Sequence, residues 1–126
     1  MPYDYDQAFA EVIRAKAEAL LALGSAYFVP ARRLIPALAL QHRLPSMFGT
    51  ALWAEAGGLL SYGPNLVAFY RRGAEQVSMI LHGRKPAALP VEQPTTFELV
   101  INLKTAQALG LTIPPMLLFR ADKVIR

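Results

Sequence analysis

Short apolar runs and amphipathic segments alternate three times before residue 84, and no other feature of this 126-residue chain constrains its fold as tightly. Leu20–Leu23, Leu44–Gly49 and Leu59–Tyr62 each have the length and apolar content of a buried strand. Each is followed by small or turn-forming residues and then by a helix-like stretch. A strand–helix alternation of this kind is the signature of a parallel α/β sheet.

The helical segments can be placed from their caps and stripes. Asp4 or Asp6 is a natural N-cap for a first helix, in which Phe9, Val12, Ile13 and Ala17 recur at helical spacing. Periodicity alone does not separate a continuation of that helix from a strand at Leu20–Leu23. We read a strand, with the helix ending near Ala17. Pro30 suits the first turn of a second helix, whose stripe is Leu34, Ile35, Leu38 and Ala39. Thr50 is placed to cap a short helix through Glu55. Gly63-Pro64 reads as a turn and Asn65 as the N-cap of a long helix, with Leu66, Phe69, Tyr70, Gly73, Ala74, Val77, Ile80 and Leu81 on one face and Gly83 just past its end. Prolines 86, 90 and 94 mark a connector. A further strand is expected over Thr95–Leu103, with Phe97, Leu99 and Ile101 on one face and Val100 covered on the other. A short helix over Lys104–Leu109 is stopped by Gly110, and Pro114-Pro115 opens a last helix through Val124.

Hydrophobic residues make up 54% of the chain and charged residues 17%. Apolar runs such as Leu20–Leu23 and Met116–Phe119 fall far short of the ~20 residues that span a bilayer. The apolar excess therefore calls for burial in a core or against a partner. The net charge is +4, but the basic residues are dispersed as pairs without interleaved aromatics, which argues against a nucleic-acid partner. With no cysteine, disulfides and Cys-metal sites are excluded. The acidic start MPYDYDQAFAE lacks the basic and apolar regions of an export signal.

Catalytic chemistry finds no constellation here. His42 and His82 each fall at a helix end, where a cation is favourable. The carboxylates are scattered, Gly57-Gly58 precedes a strand and so is no phosphate loop, and no G-x-S-x-G elbow occurs. This argues against an enzyme, a flavodoxin-like one included, and no cofactor or metal is implied. Parallel strands instead place three exits on one sheet edge, where such folds bind ligands. These exits carry Ser25 and Tyr27, Phe48 and Gly49, and Ser61, Tyr62 and Asn65, and those seven residues are the candidate ligand-binding set. Hydroxyls, an amide and aromatic rings together suit a small polar organic ligand with an apolar part. For single members a plainer role stays open: Asn65 as a cap only, Phe48 as core, the glycines as turn formers.

The stretches AEAGGLLSYGPNLVAFYRR and LHGRKPAALPVEQPTTFELVINLKTAQALGLTIPPMLLFRADKVI resemble the C-terminal part of ABC-transporter substrate-binding proteins of the tryptophan/tyrosine-transporter-like family. The resemblance runs from about Ala8 onward. It implies part of a type-1 periplasmic-binding-protein fold, here a partial three-layer sandwich with a mostly parallel sheet flanked by helices. Residues of about 6–60 would form βα units of the second lobe. Residues 61–94 would make a hinge passage, with the helix from Asn65 to His82 packing on the first lobe, and 95–126 would supply the return strand and terminal helices. The implied function is a solute-binding component, or part of one, of a periplasmic ABC importer. Its partners would be an ABC permease and an amino acid, often aromatic, or a related small compound. Counterparts of the first lobe and of the opening βαβ unit of the second lobe are not found in the chain. The strand at Leu20 is then expected at an open edge. That edge and the Leu66, Phe69 and Val77 face are expected to make the chain self-associate as a homo-oligomer. A self-associating structural module with no specific ligand is the alternative reading.

Overall fold

The computed structural model describes residues 3–126. Five strands form one sheet in the order β1 (Leu20–Ala22), β2 (Ser46–Phe48), β3 (Leu60–Pro64), β4 (Phe97–Asn102), β5 (Lys123–Ile125). β1, β2 and β3 run parallel, β4 runs antiparallel to β3, and β5 runs parallel to β4. The helices are α1 (Tyr5–Arg14), α2 (Leu34–Gln41), α3 (Ala51–Glu55), α4 (Leu66–Leu81), α5 (Leu103–Ala108) and α6 (Pro115–Arg120). The expected α/β architecture, a mostly parallel sheet flanked by helices, is the one observed.

Local chemistry explains most element ends. Asp4 Oδ1 accepts from the Gln7 amide at 2.9 Å and caps α1. That helix stops at Arg14, earlier than Ala17, because Lys16 turns the chain with φ of 54°. The Leu20–Leu23 ambiguity resolves as the strand β1. Pro30 does not open α2. It lies within a 3-10 turn over Ala26–Ala31, and α2 starts only at Leu34. Thr50 stands at the N-cap of α3 without a side-chain bond to it.

Two further expectations are corrected. β3 runs on through Gly63 and Pro64, paired with Glu98 and Phe97, where a turn was expected. Pro64 is tolerated because Asn65, not Pro64, donates across to β4, and β2 pairs only with Leu60 and Ser61, so position 64 has no ladder bond to donate. The final helix ends at Arg120, and Lys123–Ile125 leave it to form β5. Asp122 makes the change of direction: its Oδ2 accepts from the Leu99 amide at 2.7 Å, and its own amide donates to the Leu99 carbonyl.

The main core lies between the β1–β2 side of the sheet and α1, α2 and α3, and contains Phe9, Ile35, Leu38, Leu44, Phe48 and Trp53. Phe48 is 1% exposed. Its ring lies flat against Trp53, centroids 5.0 Å apart and planes 3° from parallel. Gly58 leaves room for that ring, since a Cβ there would fall 2.5 Å from Phe48 Cε2. Val100 and Ile101, on opposite faces of β4, are both fully buried, so both sides of the sheet are covered at that strand. Asn102 ties the far end together: its Nδ2 donates to the Ala54 carbonyl, and its Oδ1 accepts from the Thr105 amide to cap α5. Thr105 Oγ1 in turn donates to the Gly57 carbonyl at 2.9 Å.

α4 departs from this pattern. It has 16 residues, none of them buried. Its N-terminus is capped by Asn65 Oδ1, which accepts from the Ala68 amide at 2.9 Å, and Gly83 ends it with φ of 94°. The expected apolar stripe is present, but it faces outward.

Removing the Phe48 ring should therefore be costly. Phe48→Ala is expected to destabilise the domain by about 3–5 kcal/mol in urea denaturation. Leu21→Ala, on the exposed face of edge strand β1, is expected to change stability by less than ~0.5 kcal/mol.

A candidate ligand edge at the strand exits

The parallel run of β1, β2 and β3 carries their three exits to one edge, as anticipated. The backbones converge there. A Cβ on Gly63 would lie 1.8 Å from the Gly49 carbonyl oxygen, and a Cβ on Gly49 would lie 4.0 Å from the Gly24 amide nitrogen. Position 63 therefore admits only glycine without displacing the β2 exit. The three glycines form a side-chain-free floor, the kind of surface that lets a ligand approach main-chain groups closely.

The seven candidate residues separate at this edge. Tyr27 and Tyr62 are exposed, at 72% and 53%. Ser25 is half-buried, and its Oγ accepts from the Tyr27 amide at 3.3 Å, which caps the 3-10 turn. Gly49 and Asn65 are half-buried on the edge. Phe48 and Ser61 point inward from adjacent strands, in register with each other and with Val100. Phe48 belongs to the core, and Ser61 is fully buried, with an Oγ that has no hydrogen-bond partner among the described residues. Strand alternation is the cause: within β3, Ser61 and Gly63 face α3 while Tyr62 faces the opposite side.

β4 and β5 bring residues that sequence reasoning did not select. Phe97 stacks on Tyr62 as a diagonal cross-strand pair, centroids 5.8 Å apart and planes tilted by 27°. Phe97 is 47% exposed, so the pair presents an open aromatic plate. On the α3 side a pocket of about 310 Å³ lies among Leu52, Glu55, Asn65, Glu98 and Lys123. Asn65 Nδ2 donates to Glu98 Oε2 at 2.9 Å, and Lys123 Nζ donates to Glu55 Oε1 at 2.6 Å. The Glu55 carboxylate raises the pKa of the Lys123 ammonium by hydrogen bonding and by charge. An alternating Phe-x-Leu-x-Ile pattern did mark Phe97 as a strand-face residue. Its pairing with Tyr62 became visible only once the antiparallel register was known, and the place of Lys123 only once β5 was.

The connector after α4 returns along that helix and is clamped to it. Arg72 Nε and Nη2 grip both oxygens of Glu92, at 2.6 and 2.5 Å, while Nη1 bonds Glu75 at 2.6 Å. The fork raises the pKa of Arg72 and lowers that of Glu92, mainly through the hydrogen bonds between them. Both groups are exposed, so the clamp positions the connector more than it stabilises the fold.

The sequence matches the family model described as ABC transporter substrate binding protein over residues 6–125. The chain belongs to this family. No curated protein matched it. Among solved structures it is similar to a conserved domain protein from Vibrio cholerae O1 biovar El Tor, at 29% identity and a TM-score of 0.85. It is also similar to an ABC domain from Streptococcus pneumonia in complex with L-Trp, at 27% identity and a TM-score of 0.84. Both alignments take in 94% of this chain and 40% of the other. A ligand-free, open substrate-binding protein with adhesive properties from Clostridium difficile shares the fold at 18% identity and a TM-score of 0.66, over 96% of this chain and 40% of that one. The chain thus spans 40% of the length of the structures it matches.

Two outcomes follow. Gly63→Ala should destabilise the chain by about 1–3 kcal/mol, the cost of overpacking a fixed backbone, read as a lower urea midpoint with unchanged slope. The Arg72–Glu92 clamp holds fully above the ordinary carboxylate pKa of about 4.3 and is lost as pH falls through the lower folded value of Glu92. Limited proteolysis at residues 84–96 should accelerate below that pH, and Glu92→Gln should show the fast cleavage already at pH 7.

Proposed function

We propose that this chain provides one wall of the solute-binding cleft of an ABC importer's binding protein, on the extracytoplasmic side of the membrane. Its ligand is a small organic molecule such as an aromatic amino acid or a related compound. The observation that carries this reading is the exit edge itself. A glycine floor and an exposed Tyr62–Phe97 plate meet at the strand exits, and a pocket around Asn65, Glu98 and Lys123 opens on the other face of the sheet. A flat apolar group would lie on the plate, and charged or hydrogen-bonding groups would meet the main-chain groups of the glycine floor. The L-Trp bound to the Streptococcus pneumonia relative has that combination of groups.

In this reading Tyr62, Asn65, Gly49, Ser25 and Tyr27 face the ligand or its loops. Phe48 and Ser61 act from beneath, shaping the edge without touching ligand. Residues up to about 60 form the lobe, residues 61–94 leave it and return as a hinge passage, and residues 95–126 complete its sheet. The opposite wall and the permease contact belong to the full binding protein. Chemistry on the ligand has no part in this function.

Thermal denaturation against a panel of amino acids and aromatic acids tests the proposal. A ligand present at ~100 times its Kd stabilises by about 2.7 kcal/mol, enough to raise Tm by several degrees. A rise with an aromatic member that Tyr62→Ala removes is expected. No rise across the panel, or one that Tyr62→Ala and Phe97→Ala both leave intact, contradicts it.

A further inference from the structure

The sheet has a second edge, at the opposite end of its strands from the glycine floor. β1, β2 and β3 begin there and β4 and β5 finish there, with Leu20 beside Ser46, Leu60 beside Ile101 and Asn102 beside Ile125. The turns that feed these strands bring five exposed cations to that edge: Arg14 and Lys16 before β1, Arg43 before β2, Lys104 after β4 and Arg126 after β5. Its carboxylates are Glu11, in the last turn of α1, and Glu18, just before β1. Glu55, at the end of α3, is taken up by Lys123, and Arg72 pairs with Glu75 and Glu92. Among the described residues none of the five edge cations is in an ion pair.

Helix electrostatics account for part of this row. Arg14, Lys16 and Arg43 stand at the C-terminal ends of α1 and α2, where the dipole favours a cation. The dipole does not account for Lys104, in the first turn of α5, where a cation is disfavoured, or for Arg126, which follows a strand. Backbone conformation gives an independent sign. The residue just past the cap of α3, α4 and α5 is in each case a glycine with positive φ: Gly57, Gly83 and Gly110. Past α1 and α2 it is Lys16, at φ of 54°, and Arg43, at φ of 56°. A side chain is disfavoured in that conformation, so both positions carry a cation where the backbone favours glycine.

We propose that this basic edge docks on the headgroups of an anionic phospholipid bilayer. Five strands side by side span about 19 Å, so the cations form a row across the full width of the sheet, suited to a flat charged surface. They line neither the cavity beside α4 nor the pocket beside α3, so the edge offers no groove for a peptide. No exposed aromatic ring stands among them to stack a base, which disfavours a nucleic acid. Each cation held against an anionic leaflet adds to the attraction. In the function proposed above the opposite wall of the cleft lies across the exit edge, so the basic edge is the far end of the lobe. That placement and the nearness of a membrane rest on that reading, whereas the charge row does not.

Co-sedimentation of the 126-residue chain with vesicles tests this without any cleft ligand, so its failure leaves the cleft reading standing. Binding is expected to vesicles of phosphatidylcholine with ~30% phosphatidylglycerol and not to phosphatidylcholine alone. It should weaken as salt rises from ~50 to ~200 mM. Each edge cation removed should weaken partition about fivefold, so Lys16→Gly with Arg43→Gly should weaken it about 25-fold. The urea midpoint of that double variant should hold or rise, because glycine suits both φ values; lost docking is thereby separated from lost folding. Arg33→Gln with Arg84→Gln removes the same net charge away from the edge and should change binding less than ~twofold. Equal binding to the two vesicle types, or equal loss in the two double variants, overturns the proposal. Retention on a poly-glutamate resin without binding to the anionic vesicles also overturns it, in favour of an acidic protein partner.

Discussion

The Phe48 ring is the contact on which the rest of the chain depends. It is anchored on β2, lies flat on Trp53 of α3 and fills the space left by Gly58 just before β3. One side chain thus fixes the spacing of two adjacent strands and the helix that joins them. Once β2 and β3 are held in that register, Gly49 and Gly63 meet at the next level of the sheet, and the exits of the parallel strands converge. The open edge is a consequence of a closed core immediately behind it.

The sheet has two regimes. β1 to β3 form a parallel α/β unit with its own core, while β4 and β5 are added after a long excursion through α4 and the connector. Antiparallel β4 is pinned by five register pairs with β3, from Leu60–Ile101 to Pro64–Phe97. Its far end is locked by the bonds of Asn102 to α3 and α5. The excursion is joined to the sheet by the Asn65 bonds at its root and folded back on itself by the exposed Arg72–Glu92 clamp. This difference in anchoring separates a cored half, which carries the glycine floor, from α4, none of whose residues is buried.

Much of this was legible from the residues. The three strand–helix alternations, the caps at Asp4 and Asn65, and the helix ends at Gly83 and Gly110 follow from local chemistry, and local chemistry is what a sequence expresses directly. Pairing and facing were not legible. Gly63-Pro64 has turn composition, yet the antiparallel neighbour β4 keeps it extended. Lys123–Ile125 is too short to show a strand period, and only the Asp122 bonds to Leu99 turn it onto the sheet. Phe48 and Ser61 stand at exits in the sequence, but the register turns both inward. Phe97 became part of the edge for the same reason, since its stacking on Tyr62 is a property of the β3–β4 register and of neither strand alone.

The central claim is that the convergent glycine edge, with its aromatic plate, is where a ligand sits. Amide chemical shifts measured during titration with L-tryptophan test it most directly, because Gly24, Gly49 and Gly63 report the edge in three separate signals. The account predicts saturable shifts at these glycines and at Tyr62, Phe97 and Glu98, with the α2 amides unmoved. Saturable shifts centred elsewhere, or none at millimolar ligand, would contradict it.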